Sequence, residues 1–295
     1  MNSRDRVIKT LNHQPSDRVP RDLWILPGTL MFREPEVKKL FEKFPSDFAV
    51  PKFSYGKGER EIGTRCETPR YTDAWGCVWE VAQRGIIGEV KNPPIDDWSK
   101  LANFKPPWEL LRNADLSFVN KSCSESDKFM LTGTQTRPFE RLQFLRGSEN
   151  VYIDLAYGTK ELFTLIGILH DFFCAEMRMW AETDIDGISF MDDWGSQNSL
   201  LISPDMWRGI FKPLYKDYGD ILHEKGKFVF FHTDGNIELI FPDLIEVGID
   251  AVNSQLFCMD IEKLGEQYRS RITFWGEIDR QNVLPFGTVE DVRKA

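Results

Sequence analysis

The chain has 295 residues, of which 41% are hydrophobic, including 22 Phe and 9 Trp, so it can form a large core and is not a disordered protein. Its formal net charge is −9 and no basic stripe is visible, which argues against a nucleic-acid binder. The five cysteines form no C-x-x-C pair, the N-terminus is polar, and no apolar run approaches the ~18 residues of a membrane span. These features predict a cytoplasmic protein with reduced thiols.

The first residues predict short elements. Residues 3–12 have the spacing of an amphipathic helix, with Ser3 as its N-cap. Residues 23–26 and 47–53 are short apolar runs that we predict to be strands. Between them, residues 37–44 have helical spacing.

Residues 60–92 have a different sequence pattern, because aromatic, polar and Gly residues alternate there. This pattern is typical of antiparallel hairpins. No linker divides the chain, so we interpret the segment as a β-rich insertion in one domain spanning residues 1–295.

From residue 128 onward, predicted strands alternate with predicted helices. The strands are 128–134, 187–193, 227–232, 249–253 and 271–279, and a final helix begins near Thr288. Such alternation predicts a parallel sheet covered by helices, in either a closed (β/α)8 TIM barrel or an open doubly wound fold. The absence of a G-x-G-x-x-G fingerprint favours the barrel. Together with the two earlier runs this gives seven strands, so we expect the last strand and helix to be missing from this chain.

Polar residues stand at the C-terminal ends of four predicted strands, where the active sites of such barrels lie. They are Asp192, Asp193, His232, Asp234, Asn253, Gln255, Glu277 and Asp279. We therefore predict that they gather into one small-molecule enzyme site.

Each candidate has a proposed role and an ordinary alternative. For catalysis we select Asp192, Asp193, His232, Asp234 and Glu277, and for substrate binding Trp194, Asn253, Gln255, Trp275 and Asp279. Residues two apart on a strand point the same way, so His232 and Asp234 can hold a divalent metal, with Glu277 as a third ligand. Alternatively, Asp192 or Asp193 caps a following element and His232 is a structural histidine.

Several common motifs are absent. The chain has no G-x-S-x-G elbow, no P-loop and no H-E-x-x-H pair. Hydrolysis by a serine nucleophile, ATP use and zinc peptidase chemistry therefore have no support.

Longer runs of sequence resemble a known superfamily. The runs DDWGSQNSLLISPDMWRGIFKPLYK, FFHTDGNIELIFPDLIEVGIDAVN and ITFWGEIDRQNVLPFGTVEDVR, with the opening RDRVIKTLNHQPSDRVP, resemble the uroporphyrinogen decarboxylase superfamily. That superfamily includes cobalamin-dependent methyltransferases. The resemblance implies a (β/α)8 barrel with its site at the strand ends.

The two branches of the superfamily differ in their site residues. Decarboxylases carry an Arg-x-x-Gly-Arg loop that grips tetrapyrrole carboxylates, whereas Arg21 and Arg33 here do not reproduce that spacing. Methyltransferases bind zinc through His-x-Cys and a later Cys; His232 matches the histidine, but Asp234 stands at the cysteine position.

The resemblance thus implies three possible functions. The first is a corrinoid-linked methyltransferase acting on a small methylated substrate, with methylcobalamin on a partner protein and with a divalent metal such as zinc as an optional cofactor. The second is a cofactor-free uroporphyrinogen decarboxylase of tetrapyrrole biosynthesis, and the third is a non-catalytic barrel that binds a corrinoid or a partner. The resemblance also suggests a homodimer.

Overall fold

The structure, a computed structural model, describes residues 1–295 as an α/β protein with two sheets. The strands are β1 Phe48–Ala49, β2 Arg70–Thr72, β3 Val78–Glu80, β4 Glu89–Asn92, β5 Phe129–Gly133, β6 Gly187–Met191, β7 Phe228–His232, β8 Ala251–Asn253 and β9 Thr273–Phe274. The α-helices are α1 Ser3–Leu11, α2 Pro27–Lys43, α3 Glu109–Arg112, α4 Val119–Ser124, α5 Pro138–Arg146, α6 Ser148–Tyr157, α7 Lys160–Ala181, α8 Pro204–Ile210, α9 Lys212–His223, α10 Phe241–Glu246, α11 Ile261–Tyr268, α12 Val283–Phe286 and α13 Val289–Lys294.

The main sheet contains six strands in the order β1-β5-β6-β7-β8-β9, and every neighbouring pair is parallel. Its strands thus neighbour one another in chain order, without the reversal of strand order that marks a doubly wound fold. The sheet curls into a half-barrel, so the predicted α/β architecture is confirmed in its parallel, helix-covered form, and the eight-fold barrel stays a prediction. The sheet has six strands rather than the seven predicted.

The missing strand is the one predicted at residues 23–26, and that prediction is wrong. This segment is irregular and leads directly into α2, where Pro27 occupies the first helical position. The Asp22 carboxylate accepts hydrogen bonds from the Leu23 backbone N–H and from the Trp24 indole, and no residue of the segment pairs with a strand.

The strand predicted at residues 47–53 is shorter than expected. Only Phe48 and Ala49 pair with β5. Pro51 follows two residues later and has no N–H to donate to a ladder, which agrees with an early end.

The hydrophobic core lies on both faces of the main sheet. On the convex face, α7 and α9 cover the sheet and contribute to a cluster of 44 buried residues. On the concave face, Val7 and Leu11 of α1 pack against Phe129, Phe230 and Ala251. Helix α1 therefore fills the barrel interior at one end. None of the helices is both long and apolar enough to cross a membrane.

Ion pairs show which end α1 closes. Asp47 and Asp186 directly precede β1 and β6, so they mark the N-terminal edge of the sheet. The Asp47 carboxylate, fully buried, lies 2.6 Å from a guanidinium nitrogen of Arg6 and of Arg18, and the Asp186 carboxylate lies 2.7 Å from Nε of Arg4. The opposite, C-terminal edge is left as the mouth of the barrel.

Residues 60–92 contain the antiparallel strands that the sequence predicts there. Strand β3 pairs with β2 and with β4 in a three-stranded sheet. Trp75 and Cys77, between β2 and β3, and Trp79 of β3 are buried and belong to the same hydrophobic cluster as residues of α7. The assignment of residues 1–295 to a single domain stays a prediction.

Candidate active site

The centre of the mouth is formed by three side-by-side strands. Met191, His232 and Asn253 are in register at the C-terminal ends of β6, β7 and β8. His232 lies two residues after Phe230, whose side chain belongs to the concave core, so His232 points into the barrel interior above it.

The orientation of His232 is fixed by Asn253. The Asn253 amide nitrogen donates to the Trp275 carbonyl at 2.6 Å, so its amide oxygen faces Nδ1 of His232, also at 2.6 Å. Because that oxygen can only accept, Nδ1 carries the hydrogen. The other ring nitrogen, Nε2, is then directed at the loops that follow β6 and β7.

Two carboxylates surround that nitrogen. Nε2 of His232 is 3.6 Å from Oδ1 of Asp234 and 4.0 Å from Oδ1 of Asp193. The three ligand atoms lie within 4.8 Å of one another. Burial and the charge of Asp234 raise the pKa of Asp193, although Asp193 also accepts a hydrogen bond from the Asp234 backbone N–H at 2.8 Å.

Two glycines allow the carboxylate loops to approach. Gly235 has a φ of +80°, and a Cβ on it would lie 2.1 Å from the Gly195 carbonyl carbon. A Cβ on Gly195 would in turn lie 2.5 Å from the backbone nitrogen of Asn236. Only glycines permit this contact, which brings Asp193 and Asp234 together.

Glu277 lies beside this cluster but is not one of its three members. Its Oε2 is 3.6 Å from Nε of Arg280, and Arg280 also bonds Oδ1 of Asp234. Burial raises the pKa of Glu277, an effect that Arg280 partly offsets. The prediction of Glu277 as third metal ligand is therefore corrected, because Asp193 occupies that place.

An aromatic wall closes one side of the mouth. The Trp24 ring centroid lies 5.0 Å from that of His232 and 4.9 Å from that of Trp275. Both indole N–H groups donate to Asp22, at 3.2 and 3.1 Å. Trp275 thus stands where the sequence predicts a pocket wall, joined by Trp24 from the irregular segment before α2.

Asp192 and Trp194, both predicted in the site, are buried beneath it. The Asp192 carboxylate accepts hydrogen bonds from the backbone N–H groups of Phe139 and Glu140 and from the Tyr215 hydroxyl, at 2.7–2.8 Å. It therefore caps α5, which precedes it in the chain, whereas the alternative prediction was a cap on a following element. Trp194 is fully buried, stacks on Phe139 at 4.4 Å and donates to Tyr215. The prediction that Trp194 walls the pocket is wrong, because the β6 exit turns it into the core.

The side chains of Gln255 and Asp279 likewise accept hydrogen bonds from backbone N–H groups. The Gln255 amide oxygen accepts the Gly235 N–H at 2.7 Å, and the Asp279 carboxylate accepts the backbone N–H groups of Gln281 and Asn282 at 2.9 Å. Both side chains are buried. They shape the loops after β7 and β9, and the substrate contacts predicted for them stay a prediction.

Two charged residues at the start of α5, Arg137 and Glu140, were not among the predicted site residues. Nη1 of Arg137 lies 3.6 Å from Oε2 of Glu140, and both side chains are about four-fifths buried. Burial raises the pKa of Glu140 to about 7, with Arg137 opposing and the charge of Asp193 adding to the shift. The residues that follow β5 are Thr134, Gln135 and Thr136, and none of them is an acid or a histidine, so the pattern of charged residues at strand ends did not extend to this strand. The only indication in the sequence was that two charged residues, Arg137 and Glu140, lie on either side of Pro138.

Comparison with known proteins places this arrangement in a family. No curated protein sequence matches the chain. Its fold is similar to that of a methyltransferase from Methanosarcina mazei, with a TM-score of 0.71 and 16% identity over 100% of this chain and 88% of that one. The family model for uroporphyrinogen decarboxylase (URO-D) matches residues 71–295, about three-quarters of the sequence. The chain belongs to the uroporphyrinogen decarboxylase (URO-D) family.

Proposed function

We propose that this protein is a methyltransferase that moves a methyl group from a small methylated compound to a corrinoid carried by a partner protein. The family and the fold shared with a methyltransferase support this proposal. The observation that carries it is the cluster at the barrel mouth, where Nε2 of His232 faces the carboxylates of Asp193 and Asp234.

The donor set of this cluster suits a divalent metal ion. One imidazole nitrogen and two carboxylate oxygens are ligands that zinc accepts, and the hydrogen bond from Nδ1 of His232 to Asn253 is the supporting contact typical of metal-binding histidines. We infer that Asp193, His232 and Asp234 hold such an ion. When bound, it would act as a Lewis acid on the donor oxygen or nitrogen of the substrate.

The remaining residues handle the proton and exclude water. When the methyl carbon leaves an ether oxygen or amine nitrogen, the electron pair of the broken bond stays on that atom, which then takes up a proton. Glu140 holds a proton at neutral pH because burial raises its pKa to about 7, so it can supply that proton. Trp24 and Trp275 shield one side of the mouth from water.

Decarboxylation has less support from the positions of Arg21 and Arg33, the two arginines compared above with the decarboxylase loop. The Arg21 guanidinium lies 5.5 Å over the Phe44 ring, and Arg33 is exposed and pairs with Glu36 on α2. Neither supplies a grip for tetrapyrrole carboxylates inside the mouth. Stepwise loss of carboxylates from uroporphyrinogen incubated with the purified protein would favour the decarboxylase instead.

A methyl-transfer assay tests the proposal. The metal-loaded protein is mixed with cob(I)alamin and, in turn, with methanol, methylamines and methoxybenzoates, and methylcobalamin is followed by its absorbance. We expect at least one donor to react, and His232→Ala to abolish the reaction. Asp205→Asn, which changes an exposed carboxylate on α8, serves as the control and should react like the unmodified protein. If no donor methylates the corrinoid, the proposal is overturned.

A further inference from the structure

Three arginines at α5 differ sharply in how they are bonded. Nε of Arg146 donates to Asp154 at 2.9 Å, and Arg141 lies 4.4 Å over the Trp75 ring and donates to Asp73 at 3.3 Å. The Arg137 guanidinium, by contrast, makes no hydrogen bond within the protein, although only 21% of its side chain is exposed. A largely desolvated cation without a hydrogen-bond acceptor is unfavourable unless a bound ligand supplies that acceptor.

The carboxylate of Glu140 does not act as a hydrogen-bond acceptor for Arg137. Its nearest oxygen is 3.6 Å from Arg137, beyond hydrogen-bond reach. Because burial raises the pKa of Glu140 to about 7, this carboxyl is protonated in a large fraction of molecules at neutral pH. Arg137 therefore keeps five N–H donors for an external acceptor.

The loop that carries Arg137 is held rigidly from below. The buried Glu176 carboxylate accepts the Gln135 backbone N–H at 2.9 Å and the Thr136 hydroxyl at 3.0 Å. On the other side of Arg137, the buried Asp192 carboxylate accepts two N–H groups of the first turn of α5. Two buried acids thus fix the backbone on both sides of one free arginine, which lowers the entropy lost on ligand binding.

We propose that Arg137 binds a carboxylate of the substrate, so that the methyl donor is a small anionic compound. A guanidinium and a carboxylate match in a two-pronged, charge-assisted pair, and Arg is preferred over Lys for this geometry. The inference rests on the proposed function only for the identity of this ligand as the methyl donor.

Binding of simple carboxylates tests the inference without methyl transfer. Benzoate and acetate are titrated into the full-length protein by calorimetry, with benzamide as the uncharged analogue of benzoate. We expect saturable binding of at least one carboxylate at millimolar concentrations, and little binding of benzamide. Arg137→Gln should weaken the carboxylate at least about tenfold, the loss expected for one charge-assisted contact. Arg137→Lys keeps the positive charge but loses the planar guanidinium, so its affinity for the carboxylate should lie between those of the unmodified protein and Arg137→Gln.

A matched control and the stability of the variants complete the design. Arg112→Gln, at an exposed position on α3, should bind the carboxylate like the unmodified protein, and all variants should unfold at similar temperatures. The inference is overturned if neither carboxylate binds or if Arg137→Gln binds as tightly as the unmodified protein. Carboxylate binding without any methyl transfer would instead overturn the proposed function, and methyl transfer without carboxylate binding would overturn only this inference.

Discussion

The carboxylates at the two edges of the main sheet differ in their partners. At the N-terminal edge, Asp47, Asp186 and Asp250 directly precede strands, and each is paired with an arginine or histidine side chain and with a backbone N–H group. At the C-terminal edge, Asp193 and Asp234 follow strands and face each other across one imidazole.

This contrast separates residues that stabilise the fold from residues that serve the site. Burial alone would raise the pKa of Asp47, but hydrogen bonds from Arg18, the Arg21 backbone and Ser3 hold it at about 2. The pKa of Asp193 is instead raised, by burial and by the Asp234 carboxylate. Carboxylates with raised pKa values cluster at functional sites, which favours a role for Asp193 in binding or catalysis.

The largest effect is expected at the N-terminal edge. Asp47→Asn removes the buried charge that pairs with Arg6 and with the partly exposed Arg18, and although Arg6 keeps its pair with Asp17, the free energy of unfolding should fall by about 3 kcal/mol. Urea denaturation measures this. Asp205→Asn is the exposed control. A loss below about 1 kcal/mol, as for a surface ion pair, would remove the distinction between the edges.

Removing the charge of Glu140, at the C-terminal edge, should stabilise the protein, whereas removing the charge of Asp47 should destabilise it. The folded chain holds its proton up to about pH 7, whereas the unfolded chain releases it near 4.5. The folded state therefore binds more protons between these values, and stability should fall as the pH rises from 4.5 to 7. Glu140→Gln should remove this fall and stabilise the protein at pH 8 by up to roughly 3 kcal/mol, since one pKa unit corresponds to about 1.4 kcal/mol. Denaturation curves at pH 4.5 and 8 that give Glu140→Gln no relative gain at the higher pH would contradict the raised pKa.

Asn253 tests whether the imidazole is oriented for a ligand. Asn253→Ala removes the acceptor for Nδ1 of His232, so metal affinity should fall by about 10–100-fold. Isothermal titration with zinc measures the change. Asn198→Ala, at an exposed position in the loop after β6, is the control. Equal affinity in Asn253→Ala and the unmodified protein would show that the histidine is not held for metal binding.

The smallest expected effect concerns the exposed face of α2, which begins three residues after Trp24. Leu30, Met31 and Phe32 are exposed there, and we expect this apolar surface to contact the corrinoid protein. Phe32→Asp should lower kcat/KM with the corrinoid protein by no more than about tenfold and leave the rate with free cobalamin unchanged. Phe163→Asp on α7 is the matched control. An equal loss with both acceptors would place the defect in the site itself.

Much of the barrel follows from the sequence because its strands are buried on both faces. The runs FVFF and ITFW lack polar alternation, which indicates a parallel sheet and hence a site at the C-terminal edge. The location of His232, Asp193, Asp234 and Trp275 was predictable for that reason.

Other parts of the site depend on contacts distant in sequence. Asp192 and Asp193 are adjacent, yet strand alternation sends one into the core to cap α5 and the other into the mouth. Whether an aspartate finds N–H donors 50 residues away cannot be read from its neighbours. Trp24 was predicted in a strand because the pattern of residues 23–26 is apolar, whereas the side chain serves as a wall.

Titration with cobalt(II) tests the central claim, that the mouth holds a metal through Asp193, His232 and Asp234. Cobalt(II) substitutes for zinc and reports its ligands by visible absorption. We predict one saturable site per chain, lost in His232→Ala and strongly weakened in Asp193→Asn, but kept in Asp205→Asn. No saturable spectrum, or the same spectrum and affinity in His232→Ala, would contradict the account.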